Sequence, residues 1–156
     1  MTLILEGQHL DIRDEDVLSF KHVKQLGVGG NAIVETAQLT TDGRQFAHKI
    51  FRRSYNQKPG RVKQSFRNEV KIIKRLSPRI HIIRLFATYT CGRTPDMLLT
   101  PVTNNGDLAT YLQAILDSEN PPTIEQMVIL ESAFGCLTNG LAFIYKHTIR
   151  HKDIKP

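Results

Sequence analysis

The sequence predicts an α+β protein in which a five-stranded antiparallel sheet with one packed helix precedes a helical region. Three observations support this fold class. Short β-branched and aromatic segments recur between turn residues, one amphipathic helical stretch interrupts them, and apolar residues return at helical spacing after residue 107. The 156 residues fit one domain, or one lobe and part of another, and 40% hydrophobic residues are typical of a soluble globular protein.

Strands are predicted in the first hundred residues because short apolar segments lie between turn signals. Residues 1–19 are expected to be a leader that carries an acidic cluster of Asp11, Asp14, Glu15 and Asp16. The predicted strands are 20–26, 33–40, 45–51, 82–89 and 97–102. Asp42-Gly43 is a strong hairpin signal, so the second and third of these strands should pair antiparallel.

One helix is predicted between the third and fourth strands, over residues 62–76. At about 100° per residue its apolar side chains share one face; they are Val62, Phe66, Val70, Ile73 and Leu76. Glu69 falls near the middle of that face, where a carboxylate costs several kcal/mol unless a cation meets it. Lys49 on the adjoining strand is the expected partner. The alternative is a Glu69 at the edge of the stripe that reaches solvent.

Two further helices are predicted after the sheet. Asp107 is a good N-cap for the first, and Asn120-Pro121-Pro122 ends it. Thr123 and Gln126 form a capping box that opens a long second helix, running to about His147. Its apolar stripe consists of Leu130, Phe134, Leu137, Leu141 and Ile144.

The net charge and the cysteine content limit the partners and the cellular compartment that the sequence predicts. The net charge of +6 raises nucleic acid as a partner, but a solvated helix face beside a basic loop explains the same clustering. Cys91 and Cys136 form neither a metal spacing nor a disulfide framework, which favours a reducing compartment. We see no signal peptide and no stretch approaching the roughly 20 apolar residues that span a bilayer. The sequence therefore predicts an intracellular protein, cytoplasmic or nuclear, with no membrane partner.

Three short motifs carry the chemistry. Gly27-x-Gly29-x-x-Ala32 suits close approach of backbone amides to an anion, although it also fits the dinucleotide-binding pattern. That pattern requires a helix straight after the loop, whereas here a β-branched segment and a hairpin turn follow. Lys49 then returns a positive charge towards the loop. The string 151–156, His-Lys-Asp-Ile-Lys-Pro, follows the long helix and is hard to produce by chance.

Taken in order, these segments resemble the first part of a protein kinase domain of the serine/threonine type. The resemblance covers about residues 20–156. The stretch 134–156 is similar to kinases of filamentous fungi. The resemblance implies an N-terminal lobe and hinge over about 20–102 and the start of a helical C-terminal lobe over 103–156. It also implies ATP and Mg²⁺ as cofactors.

The resemblance assigns roles residue by residue. It implies that Lys49 contacts the α- and β-phosphates of ATP and that Glu69 is its helix partner. It implies that Asp153 is the catalytic base and that Lys155 is the lysine that serine/threonine kinases carry two residues later. Leu99 matches the gatekeeper, and Asp107 matches a ribose contact. The remaining nucleotide-binding positions implied by the family are Gly27, Val28, Gly29, Val34, Ala47, Thr100 and Val102.

Three departures from the family pattern stand out. Ala32 replaces the third glycine, and Lys152 replaces the usual arginine before Asp153, which loses bidentate hold on a phosphate. The metal-binding Asn expected five residues after Asp153, and the Asp-Phe-Gly segment after it, are not among the 156 residues. We therefore assign no metal ligand in this chain and expect it to be inactive in phosphoryl transfer by itself.

The function implied by the resemblance is ATP-dependent phosphorylation of protein serine or threonine, with an unidentified protein substrate. The alternative from a different class is a non-catalytic kinase-like remnant that binds nucleotide or a partner protein. Binding of nucleic acid through the basic helix and loop is disfavoured, because only charge supports it.

Overall fold

The structure is a computed structural model that describes residues 3–13, 18–29, 31–52, 60–77, 79–103 and 106–150. Several sequence-based predictions lie outside these residues. They are most of the acidic cluster (residues 14–16) and the whole string 151–156 with Asp153 and Lys155.

The described residues form six strands and three helices, which confirms the α+β fold class. In chain order they are β1 (His9–Ile12), β2 (Phe20–Val28), β3 (Ala32–Leu39), β4 (Gln45–Phe51), α1 (Arg61–Leu76), β5 (Arg84–Cys91), β6 (Thr94–Thr100), α2 (Leu108–Leu116) and α3 (Ile124–Lys146). The chain divides into two compact units. The first is Met1–Ser77 with Ile83–Val102, and the second is Pro78–Ile82 with Thr103–Pro156.

The sheet has six strands rather than the predicted five, in the order β1-β5-β6-β4-β3-β2. The extra strand is β1, which comes from the segment expected to be a leader and pairs parallel to β5, with His9 opposite Thr88. The other neighbouring strands pair antiparallel. The sequence pattern missed β1 because its four residues offer only Leu10 and Ile12 as an alternating pair, next to acidic residues.

Each face of the sheet carries its own apolar cluster. One cluster faces α1 and includes Ala47, Phe51, Ile73, Met97 and Leu99. The other is covered by the start of the chain; it contains Ile4, Ile12, Ala37, Leu39, Phe46, Phe86, Ala87, Tyr89 and Leu98. Ile4 is only 2% exposed, so the N-terminal segment is part of the core of this unit.

Helix α1 begins one residue before its predicted start and ends at its predicted end. Phe66 and Val70 pack on the helix-side cluster, and Ile73 and Leu76 are buried, as the helical spacing predicted. Lys74 and Arg75 occupy the last turn, where positive charge is favourable beside unpaired carbonyl groups.

The second unit contains two helices, α2 and α3, whose N-termini are capped by side chains. The Asp107 side chain accepts a hydrogen bond from the Thr110 backbone amide at 2.8 Å, which caps α2. At the start of α3, Thr123 and Gln126 form the predicted capping box. Arg79, in the same unit, donates to Asn139 Oδ1 at 2.6 Å.

By length and composition alone, helix α3 could cross a membrane, although the sequence was expected to contain no stretch of roughly 20 apolar residues. Polar residues interrupt the apolar runs of this helix, but its Ser, Thr, Asn and Gly are uncharged and leave the mean hydropathy high. Core helices of soluble proteins pass the same test. Only 6% of the most apolar stretch of α3 is buried here, and Phe134 and Leu137 are 72% and 53% exposed.

Candidate functional site

The centre of the candidate site is an ion pair between β4 and α1. Lys49 Nζ donates to Glu69 Oε1 at 2.6 Å, and the two side chains are 25% and 30% exposed. Lys49 Nζ also lies 5.3 Å from the centre of the Phe51 ring. The predicted pairing is therefore confirmed, and the alternative of an unpaired Glu69 is wrong. The ammonium is positioned by two elements and still reaches solvent, so an anionic ligand can approach it.

Apolar side chains surround the ion pair on the same face of the sheet. Ala47 and Lys49 lie on this face of β4, and Leu99 is the register partner of Ala47 on β6. Val34 is the register partner of Lys49 on β3. Val34 and Val102 are partly buried against the same cluster. The structure thus brings together Val34, Ala47, Lys49, Glu69, Leu99 and Val102 on one side of the first unit.

The glycine-rich hairpin lies at the end of the β2–β3 pair. Gly27 and Val28 pair with Val34 and Ile33. Gly29 donates its amide to the Ala32 carbonyl at 2.8 Å, which closes the loop. A Cβ atom on Gly27 would meet no heavy atom within 4 Å, and one on Gly29 would meet only ordinary contacts. The space beside Gly27 is therefore open, whereas the Gly29 amide already donates to the Ala32 carbonyl.

The remaining predicted residues occupy separate places. Thr100 ends β6 and pairs with Arg84 of β5. Asp107 belongs to the second unit, where its Oδ1 accepts bonds from the Thr110 amide and hydroxyl. These bonds hold the pKa of Asp107 below its ordinary value. The predicted catalytic residues, Asp153 and Lys155, lie outside the described residues.

The described part of the chain can be compared with the ligand groups that hold metal ions in proteins. Within residues 3–13, 18–29, 31–52, 60–77, 79–103 and 106–150, no three His, Cys, Asp or Glu side chains form a group that could hold a metal ion.

Sequence reasoning missed a polar cluster behind the ion pair. His48 follows Ala47 on β4 and is buried on the opposite face of the sheet at 5% exposure. Its neighbours are Glu35, Tyr89 and Asp96, from three other strands. Two features of the sequence could have indicated this cluster. They are a histidine beside Lys49 and an aspartate within the apolar strand β6. Strand alternation places both on the face away from α1.

The fold and this site define a class of protein: a mixed sheet with one packed helix, a glycine-rich hairpin and a strand lysine paired to a helix glutamate. The family model described as the protein kinase domain matches residues 20–156. The chain belongs to the protein kinase family. It is 30% identical over 140 residues to the DNA damage response protein kinase DUN1 of Saccharomyces cerevisiae, covering 85% of this chain and 25% of that protein. The chain thus spans about a quarter of the length of this relative.

Proposed function

We propose that this chain is the ATP-binding part of a kinase that phosphorylates serine or threonine in proteins. The observation that carries the proposal is the 2.6 Å contact between Lys49 and Glu69. An ammonium fixed in this way has the charge and the rigidity to hold the phosphates of ATP, while part of it stays open to solvent. The protein kinase family and the relative described as a DNA damage response protein kinase support kinase activity.

The positions of several residues in the first unit support the roles that we propose for them. The half-buried and buried side chains of Val34, Ala47 and Leu99 offer an apolar surface for the adenine ring. The backbone groups of Thr100 and Val102 would meet the polar edge of the base. Gly27, Val28 and Gly29 would cover the phosphates, because the lack of a Cβ atom at the two glycines lets an anion approach the backbone closely.

The other roles rest on the family pattern alone. We propose Asp107 as a ribose contact, Asp153 as the base that orients the substrate hydroxyl, and Lys155 as its serine/threonine-type neighbour. We also propose residues 20–102 as the N-terminal lobe and hinge, 103–156 as the start of the C-terminal lobe, and an intracellular location. The family uses Mg²⁺ to neutralise charge on the transferred phosphoryl group.

Isothermal calorimetry with ATP tests the proposal on the 156-residue chain. Wild type should bind ATP, and Lys49→Met should abolish measurable binding because the phosphates lose their fixed cation. Lys71→Met is the matched control, since Lys71 is an exposed lysine of α1 and its loss should change the ATP Kd less than twofold. Equal ATP binding by wild type and Lys49→Met would refute the site.

Transfer activity separates the two functional hypotheses. The protein that carries this chain, incubated with ATP, Mg²⁺ and peptide libraries containing serine, threonine or tyrosine, should phosphorylate serine or threonine. Lys49-dependent ATP binding without any transfer would instead support the non-catalytic alternative, a kinase-like protein that only binds nucleotide.

A further inference from the structure

An aromatic contact lies beside the ion pair and connects the same two elements. Lys49 and Phe51 alternate with Ile50 on β4, so both side chains lie on the α1 face of the sheet. Phe51 is only 3% exposed. Its ring meets the Phe66 ring of α1 edge to face, with the ring centres 5.5 Å apart and the planes at 85°. Strand and helix are therefore joined by an ion pair and by a pair of aromatic rings.

The Phe51 ring also contacts the ammonium group of the ion pair. Lys49 Nζ lies over this ring at 5.3 Å from its centre, within the distance at which a cation is attracted to an aromatic face. The ammonium has three N–H donors, and Glu69 Oε1 accepts one of them at 2.6 Å. Because the ring attracts the cation through its face, it restrains the ammonium while other donors can still meet the oxygens of a phosphate.

Two contacts constrain the lysine more than one contact does. Phe66 and Glu69 lie at i and i+3 on α1, so they share one face of the helix. A single ion pair fixes the distance between Lys49 and the helix, but it allows the helix to rotate about that bond. The contact between Phe51 and Phe66 is displaced along both elements, so it removes this rotation.

Another phenylalanine of the same strand shows the ordinary role of a buried ring. Phe46 is 2% exposed and lies on the face of the sheet away from α1. Its ring centre is 4.3 Å from that of Phe86, and the Arg44 guanidinium lies over its ring. These neighbours are outside the proposed site, so Phe46 is a matched internal comparison for Phe51.

We propose that Phe51 is a positioning residue for Lys49, which holds the ammonium with its aromatic face and holds α1 through Phe66. The inference rests on the proposed function, because it concerns the lysine that we propose for the phosphates of ATP. It requires the aromatic ring of Phe51 and not only its apolar volume.

NMR of the lysine side chains tests the contact between the ammonium and the ring. In chain labelled with carbon-13 lysine, the ε-methylene signal of Lys49, assigned by its loss in Lys49→Met, should carry a ring-current shift. Phe51→Leu should move this signal to the position of the exposed lysines, and Phe51→Tyr should leave it near its wild-type position. A Lys49 signal that is unchanged in Phe51→Leu would overturn the proposal.

ATP affinity tests the positioning role by calorimetry. Phe51→Leu should raise the ATP Kd by roughly three- to tenfold, because the cation loses its ring although the position stays apolar. Phe51→Tyr should stay within about twofold of wild type. Phe51 borders a cavity of about 350 Å³ that Gln64 and Asn68 also line, so the added hydroxyl has polar neighbours. Phe46→Leu is the matched control, which should lose stability but keep the ATP Kd within about twofold.

Two results would show that Phe51 is only part of the core. The first is an equal rise of the ATP Kd in Phe51→Leu and Phe46→Leu, and the second is a Phe51→Tyr chain that binds ATP no better than Phe51→Leu. If Phe51→Leu does not fold, Phe66→Leu breaks the same ring contact from the helix and should raise the Kd instead. A nuclear Overhauser effect between the Phe51 ring and the Lys49 ε-methylene of wild type then decides the ammonium contact, and its absence would overturn the proposal.

Failure of the proposed function is recognised separately. If wild type binds no ATP, that function fails, and the energetic coupling between Lys49→Met and Glu69→Gln in unfolding experiments replaces the Kd. This coupling should be smaller in the Phe51→Leu or Phe66→Leu background than in wild type, because the helix is then less fixed against the strand. An equal coupling in all backgrounds would refute positioning.

Discussion

Glu69 of α1 accepts a 2.6 Å hydrogen bond from Lys49 of β4, and this contact connects the packed helix to the sheet. Both side chains are mostly buried, at 25% and 30% exposure. Because each charge partly compensates the burial of the other, the pair should be energetically coupled.

A double-mutant cycle with Lys49→Met and Glu69→Gln measures this coupling. Chemical denaturation of the four chains should give an interaction term of about 0.5–3 kcal/mol in the free energy of unfolding. Lys71→Met combined with Glu69→Gln is the control cycle, which should be additive within about 0.5 kcal/mol. Simple additivity in the first cycle would mean that the pair contributes nothing to stability.

The N-terminal segment should be essential to the stability of the first unit. Ile4 is 2% exposed in the cluster on the face away from α1, so Ile4→Ala should lower the free energy of unfolding by about 2–5 kcal/mol. Leu5→Ala is the matched control, because Leu5 is 48% exposed and should cost less than about 1 kcal/mol. Equal losses in both variants would show that the start of the chain does not pack as described.

The sequence predicted the strands and helices well where turns and periodicity were strong. Asp42-Gly43 fixed the β3–β4 hairpin, and in the structure Gly43 adopts a φ of 73°, which favours glycine. Helical spacing placed Glu69 on the buried face of α1, and Lys49 was the cation in reach. These are local patterns, so they are visible in a single sequence.

The missed features depend on contacts between distant segments. Strand β1 is too short to show a period, and it forms because β5 offers a free edge to pair with. His48 is surrounded by residues 13 to 48 positions away. Nothing in the local sequence indicates which strands will bring Glu35, Tyr89 and Asp96 to one ring.

The first turn of α2 should fray at low pH, because the carboxylate of Asp107 caps it. Hydrogen bonds from Thr110 lower its pKa below the ordinary 3.8, so the carboxylate form is the one that the folded helix favours. Its contribution is therefore present above pH 3.8 and is lost as the pH falls through the lowered value.

NMR signals of the first turn of α2 should report this fraying during acid titration. Asp107→Asn should keep the cap and lose the pH dependence, because an amide oxygen also accepts the Thr110 bond without titrating. Asp107→Ala should fray at every pH. A wild-type helix start that is unchanged on acidification while Asp107→Ala is frayed would show that the charge is irrelevant to the cap.

The last prediction concerns the exposed face of α3. Phe134 and Leu137 lie on the predicted apolar stripe and are 72% and 53% exposed in the 156-residue chain. Helices α2 and α3 also line an open cavity of about 480 Å³ that includes Tyr111, Ile129 and Leu137. Contiguous exposed apolar surface of this kind promotes association, so the 156-residue chain should self-associate at micromolar concentration in light scattering.

Replacing both exposed residues, in Phe134→Gln with Leu137→Gln, should return the chain to a monomer without lowering its free energy of unfolding. The free energy of unfolding should not change because these two exposed side chains bury little apolar surface when the chain folds. Leu116→Gln, at an exposed leucine of α2, should leave association unchanged. Since α3 also has the length and composition of a membrane span, flotation with neutral lipid vesicles is the decisive comparison. Self-association in buffer that persists in the double variant would show that the associating surface lies elsewhere. Flotation of wild type, but not of the double variant, would assign the exposed face of α3 to lipid.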